Sequence, residues 1–166
     1  MTDETNANGI DTAEDNSAPI MPLVVNVQYV KDLSFENPNA PRSLMAATEQ
    51  PKIDLQVDLQ GQALGENVAE VQLRLRVEAT MGEMTAFIAE LVYCGVFTLP
   101  PLPQDQQRAV LLIEGPRLLF PFARQIIADM TSQGGFPPLL LQPLDFVDLY
   151  RRQVLGQGMP QTQGNA

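Results

Sequence analysis

Apolar and polar side chains alternate with a period of two over three stretches of the chain, the signature of half-buried strands. Val25, Val27 and Tyr29 alternate with Asn26 and Gln28. Ile53, Leu55, Val57 and Leu59 alternate with Asp54, Gln56, Asp58 and Gln60. Ala69, Val71, Leu73, Leu75, Val77 and Ala79 alternate with Glu70, Gln72, Arg74, Arg76, Glu78 and Thr80. Met81-Gly82-Glu83 then turns the chain into a fourth strand, from about Met84 to Thr98. No helical pattern separates the second, third and fourth strands, so short connections make them antiparallel. A long crossover joins the first strand to the second, and Pro38, Pro41 and Pro51 keep it out of regular pairing.

After Leu99-Pro100-Pro101-Leu102-Pro103 the period changes. Asp105 to Glu114 reads as a short helix closed by Pro116. Leu119, Phe122, Ala123, Ile126 and Met130 then form one stripe of an amphipathic helix. Gly134-Gly135 ends that helix by supplying a left-handed backbone. Phe136-Pro137-Pro138-Leu139-Leu140-Leu141 is an apolar loop, and a last helix spans about Leu144 to Val154. The pattern predicts an α+β fold: a four-stranded antiparallel sheet followed by helices packed on one face.

The two ends differ from this body. Residues 1–22 carry five acids and no basic residue, and 156–166 carry no charged side chain and are rich in Gln and Gly. Such compositions bury too little surface to offset ordering entropy, so both ends are expected to be flexible tails around a domain at 23–155. The chain has 166 residues, 20 acidic and 10 basic, with no His and one Cys. A net charge of −10 without clustered Lys or Arg argues against nucleic acid. The lack of His removes the commonest general base and the usual zinc sites, and a single Cys excludes an internal disulfide. No apolar run reaches the ~20 residues that span a bilayer. A cytoplasmic protein with no cofactor and no metal is the expectation.

Catalytic candidates fall away one by one. Asp54 and Asp58 are the nearest thing to an acid/base pair, but four residues of strand hold them roughly 13 Å apart, at ~3.4 Å per residue. Ion pairs with Arg74 and Arg76 across the sheet suit them better. Cys94 has no histidine to activate it and reads as a structural thiol. Gly134-Gly135 follows a helix instead of opening one, the wrong end for a phosphate. The chain is not expected to be an enzyme.

Strand four is apolar on both faces: Phe87, Ala89, Leu91 and Tyr93 on one, Ile88, Val92, Cys94 and Val96 on the other. Helices cover one face, so the second is either the greasy rim of a central strand or, the better explanation, an oligomer or peptide surface. The apolar odd face suggests that the monomer is not the stable unit. Phe35, Leu44 and Met45 in the crossover, and Phe136 and Leu139 to Leu141 after the long helix, either plug the core from outside or line a groove.

Specific motifs add to this reading. Tyr29-Val30-Lys31-Asp32-Leu33-Ser34-Phe35-Glu36-Asn37-Pro38-Asn39-Ala40-Pro41 resembles the signature of the SecB export chaperones. So do Leu119-Phe120-Pro121-Phe122-Ala123-Arg124, Gly135-Phe136-Pro137-Pro138-Leu139, Glu83 to Glu90 and Gly95-Val96-Phe97. One departure precedes strand two, where the family often has an aromatic and Thr48 and Glu49 stand here. The resemblance covers residues 23–155 and implies a homotetramer, a dimer of dimers, that holds unfolded precursor proteins without ATP. It further implies delivery of those clients to the SecA motor for export across the inner membrane, with no nucleic-acid partner and no membrane insertion. Asp32, Glu36, Ile88 and Glu90 match the positions through which the family docks its motor. Phe35, Leu44, Met45, Ile53, Leu55, Val57, Phe120, Leu139, Leu140 and Leu141 are the candidate client lining. The alternative is a structural or peptide-binding oligomeric adaptor with no export role.

Overall fold

A computed structural model describes residues 23–45 and 50–156. The N-terminal tail, the C-terminal tail from residue 157 on, and the Thr48-Glu49 departure lie outside these residues. Four strands, β1 (Val24–Glu36), β2 (Lys52–Gly65), β3 (Val68–Met81) and β4 (Met84–Thr98), form one antiparallel sheet in the order β1-β4-β3-β2. Both hairpins turn in two residues. Asn67 at φ 56° and Gly82 at φ 60° supply the left-handed positions these turns require. The crossover carries the chain from one edge of the sheet to the other and holds a single helical turn, α1 (Arg42–Met45). Its polar side chains fasten it down: Asn39 donates to the Thr85 carbonyl at 2.9 Å, and Ser43, 2% exposed, donates to Asn37 Oδ1 at 2.8 Å.

The expected short helix and its successor are one helix, α2 (Gln104–Gln133), with Pro116 and Pro121 inside it. An interior proline costs ~3 kcal/mol, yet a fully buried aliphatic side chain contributes about 1.5–3 kcal/mol. Leu111, Leu112, Leu119, Phe120, Ala123 and Ile127 of α2 all lie buried, enough to carry the helix through both prolines. The buried stripe is also rotated from the expected one. Gly115, Leu119, Ala123, Ile127 and Thr131 form a strict four-residue ridge, while Phe122 is 52% exposed and Ile126 and Met130 are half-buried. Apolar residues occupy more than one side of this helix, so periodicity alone did not single out the buried side.

Backbone proximity decides it. Gly61 on β2, Val71 on β3 and Gly95 on β4 lie in one row across the sheet, and α2 crosses along that row. A Cβ on Gly61 would meet Leu112 at 3.1 Å, one on Gly115 would meet Val71 at 3.0 Å, and one on Gly95 would meet Leu119 at 2.8 Å. Glycine on both strand and helix lets the two backbones approach. The helix then ends over β1, where Gly134 abuts the Phe35 ring. Its terminus is a Schellman motif: Phe136 N–H donates to Thr131 O, Gly135 N–H to Ser132 O, and Gly135 adopts φ 90°.

The loop after α2 is tied back by Thr131, whose hydroxyl donates to the Ile127 and Ala128 carbonyls and accepts from Leu139 N–H at 2.9 Å. The last helical segment runs from Phe146 to Leu155, close to the expected span, but its second half is π-helical. Asp145 caps α3 (Phe146–Tyr150) by accepting from Asp148 N–H, and a π-helical turn over Arg151–Leu155 follows. Phe146 packs edge-on against Phe120 with ring centres 5.8 Å apart.

Candidate functional site

Cross-strand register separates the two faces of the sheet, and with them two candidate surfaces. The odd face of β4, with Phe87, Ala89, Leu91 and Phe97, is core beneath α2 of the same chain. Contrary to expectation, this face needs no second copy, because α2 already covers it. The even face, with Ile88, Glu90, Val92, Cys94 and Val96, is the one that α2 leaves open.

On that open face β1 and β4 bring the four candidate motor residues together. Glu36 pairs with Ile88, Ser34 with Glu90, and Asp32 with Val92. Side chains opposite one another on such a ladder stand about 4.5–5.5 Å apart, so Asp32, Glu36, Ile88 and Glu90 form one patch. Asp32 and Glu36 are exposed, and Ile88 and Glu90 are half-buried. The carboxylate of Glu90 accepts from Arg76 Nε at 3.0 Å, and Arg76 also pairs with Glu78 at 2.9 Å. An open hollow of about 270 Å³ beside the patch is lined by Asp32, Glu90, Arg74, Arg76, Asp58 and Val92. Sequence reasoning missed this basic centre. The alternation of Arg74 and Arg76 in β3 was the available signal, but only the register places them beside Glu90.

Among the described residues, neither Asp54 nor Asp58 makes the ion pair expected of it: Arg76 pairs with Glu78 and Glu90 instead. Asp58 stands opposite Arg74, but Asp54 stands opposite Glu78, and the two carboxylates accept from the Gln60 and Gln56 side chains. Cys94 is fully buried; burial first, and the neighbouring Glu70 carboxylate second, push its thiol up. A thiol held protonated is a poor nucleophile, in keeping with a structural role.

The candidate client residues fall on the helix side. Phe35 stacks on Phe87 with ring centres 5.6 Å apart, and Phe136 packs tilted against Phe87 at 5.0 Å. Leu44 packs over Gly135, with its side chain 3.1 Å from where a Cβ would sit. Met45, next to Leu44 in the chain, is 82% exposed, and Leu140, in the loop that follows Phe136, is 56% exposed. Leu139 is half-buried. Leu55 joins the group through the row Leu55, Val77, Ala89, Phe35 that crosses all four strands. Ile53 is exposed at the start of β2, and Leu55 and Val57 are half-buried. Phe120 and Leu141 are core residues at 6% and 4% exposure, so neither presents a surface. In the sequence, apolar character alone does not distinguish a lining position from a core one.

A family model described as preprotein translocase subunit SecB matches residues 15–157. The chain belongs to the SecB family. The protein-export protein SecB of Rhodospirillum centenum is 63% identical to it over the full length of both chains. That of Paramagnetospirillum magneticum is 52% identical over 91% of this chain and 97% of its own. That of Rhodospirillum rubrum is 49% identical over 93% and 91%. Among solved structures, the SecB-like chaperone of Mycobacterium tuberculosis, determined with a peptide from an antitoxin, superposes with a TM-score of 0.62. It is 17% identical, over 74% of this chain and 90% of that one, and so shares the fold. A role as a chaperone in protein export follows from SecB membership. Among the described residues no helix is long and apolar enough to cross a membrane.

Proposed function

We propose that this SecB chain holds unfolded precursor proteins in the cytoplasm as a homotetramer, a dimer of dimers, and passes them to the SecA motor. The observation that carries the holding step is the apolar rim at the C-terminal end of α2. Met45 and Leu140 stand exposed in the two segments that also supply Leu44 and Phe136, and Phe136 packs against Phe87, which stacks on Phe35. Unfolded chains expose apolar segments that folded proteins hide, and such a rim receives them without sequence specificity. The peptide held by the Mycobacterium tuberculosis relative supports the same use of this fold.

Assembly draws on a different surface. Leu118 and Phe122 are 41% and 52% exposed one turn apart on α2, and Val30 and Leu33 on the neighbouring edge strand β1 are 44% and 46% exposed. A second copy over this stripe would cover it, and several weak client sites in one assembly give avidity. The test is to dilute a denatured, slowly folding polypeptide into buffer with and without the protein and follow its refolding and aggregation. Suppression of both, without ATP, is expected. Unchanged kinetics at a molar excess of tetramer would overturn the holding step, and sedimentation as an 18.2 kDa monomer at micromolar concentration would overturn the assembly.

A further inference from the structure

Gln153 makes an unusual contact with the outer edge of the sheet. Its side-chain Nε2 donates to the Val57 carbonyl at 3.0 Å, and its Oε1 accepts from Leu59 N–H at 3.2 Å. Among the described residues β2 is an edge strand, paired only with β3, so these outward backbone groups have no strand partner there. In a parallel ladder, one residue of the incoming strand donates to the carbonyl before its partner and accepts from the N–H after it. The Gln153 amide reproduces that pattern about Asp58, since a primary amide carries the same donor and acceptor as a peptide group.

We propose that the β2 edge at Asp58 docks an extended segment of an unfolded chain in parallel register, with Gln153 an internal stand-in that the segment displaces. The inference rests on the client-holding reading above and gives it a backbone-directed component. The stand-in already shows the occupant's chemistry: a peptide backbone. A residue opposite Asp58 would share that side chain's open face, while its two neighbours would project to the helix side, beside Val57 and Leu59. There an open groove of about 1040 Å³ separates the end of β2, the start of α2 and the π-helical turn, with Gly61, Leu111 and Leu112 among its walls. The fitting segment is therefore extended, with apolar side chains where it passes Val57 and Leu59 and polar ones where it meets Gln104, Gln107 and Arg108. One side-chain amide supplies a single bridge, whereas an extended chain supplies a run of them, so the client prevails. Gln153 comes from the π-helical turn Arg151–Leu155, an element common at functional sites. Exposed edges invite non-specific pairing, and a displaceable cover keeps this one closed between clients.

The test uses the full chain and a reduced, carboxymethylated polypeptide as the unfolded probe. Gln153→Ala should raise probe affinity about three- to tenfold, the effect of removing a competitor held by one or two neutral hydrogen bonds. In that variant the Leu59 amide should exchange rapidly when free and become protected when the probe binds. Gln153→Glu keeps the size of the side chain, loses the donor and should shift affinity in the same direction. Unchanged affinity in both variants, with a Leu59 amide that ignores the bound probe, overturns the inference while leaving the holding step standing. A wild-type protein that fails to bind the probe overturns both.

Discussion

The Tyr29 phenol donates a hydrogen bond to the Glu70 carboxylate across the whole width of β4. Tyr29 stands opposite Cys94 and Glu70 opposite Val96, so the bond bridges β1 to β3 and roofs the thiol between them. Glu70 also accepts from Gln72 at 2.9 Å, and Lys31 lies 3.7 Å away. This is how a carboxylate comes to be 5% exposed on the open face of the sheet: its charge is satisfied by three neighbours.

That network makes stability depend on pH. The Tyr29 hydrogen bond first, then Gln72, hold the Glu70 carboxyl below the usual range against the opposing effect of burial, with Lys31 adding to them. The unfolded chain therefore takes up this proton before the folded one does. The contribution is complete at neutral pH, declines as pH falls through the ordinary glutamate value near ~4.3, and is gone once the folded carboxyl protonates. Tyr29→Phe should cost about 1.5–3 kcal/mol at pH 7, the range for a hydrogen bond to a charged group. Urea unfolding at pH 7 and in mild acid checks this: the gap between variant and wild type should narrow on acidification. Faster labelling of Cys94 in the variant would report the lost roof.

Gly95 is under a different constraint. A Cβ there would stand 2.8 Å from both Leu119 and the Phe97 ring, inside the contact distance real side chains keep. Gly95→Ala should therefore destabilise the protein by about 1–3 kcal/mol through overpacking, because α2 must lift off the sheet. Gly65 has open space around its Cβ position and serves as the control. Thermal denaturation of the two alanine variants should show a lower midpoint for Gly95→Ala alone.

The sheet was legible because one face of β2 and β3 is wet, which leaves a clean alternation in the sequence. The hairpin at Gly82 was legible because few residues accept a positive φ. What escaped depended on long-range geometry. The single helix through Pro116 and Pro121 is decided by packing energy that local propensity does not contain. The burial of Phe120 and exposure of Phe122 depend on which side of an apolar helix meets Gly95. The Arg76 bridge to Glu90 and the Gln153 contact with β2 join residues far apart in the chain, and only the register and the path of the last turn bring them together.

Adjacent leucines in the loop after α2 separate holding from folding. Leu140 is 56% exposed and Leu141 is 4% exposed. Leu140→Ser should weaken the hold on an unfolded client several-fold and leave the melting temperature unchanged, since it removes apolar surface that water already reaches. Leu141→Ala should cost about 2–5 kcal/mol of stability, the range for a truncated core leucine. Client titration beside thermal melts reads both, and equal client affinity of Leu140→Ser and wild type would remove that residue from the lining.

The acidic patch on β1 and β4 calls for a different substitution at each acid. Asp32 and Glu36 are exposed, so a lysine at either position remains solvated and tests charge alone. Glu90 differs, because it accepts from Arg76; a lysine there would set two like charges together on adjacent strands and disturb the sheet. Glu90→Gln keeps the shape and a hydrogen-bond acceptor while removing the charge. If the SecA motor docks on this patch, Asp32→Lys with Glu36→Lys should abolish its binding, and Glu90→Gln should weaken it while client holding persists. Wild-type binding should also fall as salt rises past physiological strength, because exposed charges steer association only within the screening length, about 8 Å there. Ile88 lies beside Glu36 on the neighbouring strand and supplies an apolar centre that salt does not screen. Ile88→Ser should therefore lower affinity by a similar factor at every salt concentration, whereas the charge variants should converge on wild type at high salt. Calorimetric titration of SecA into each variant at two salt concentrations separates the two contributions, and a double lysine variant that binds like wild type at low salt would place the docking surface elsewhere.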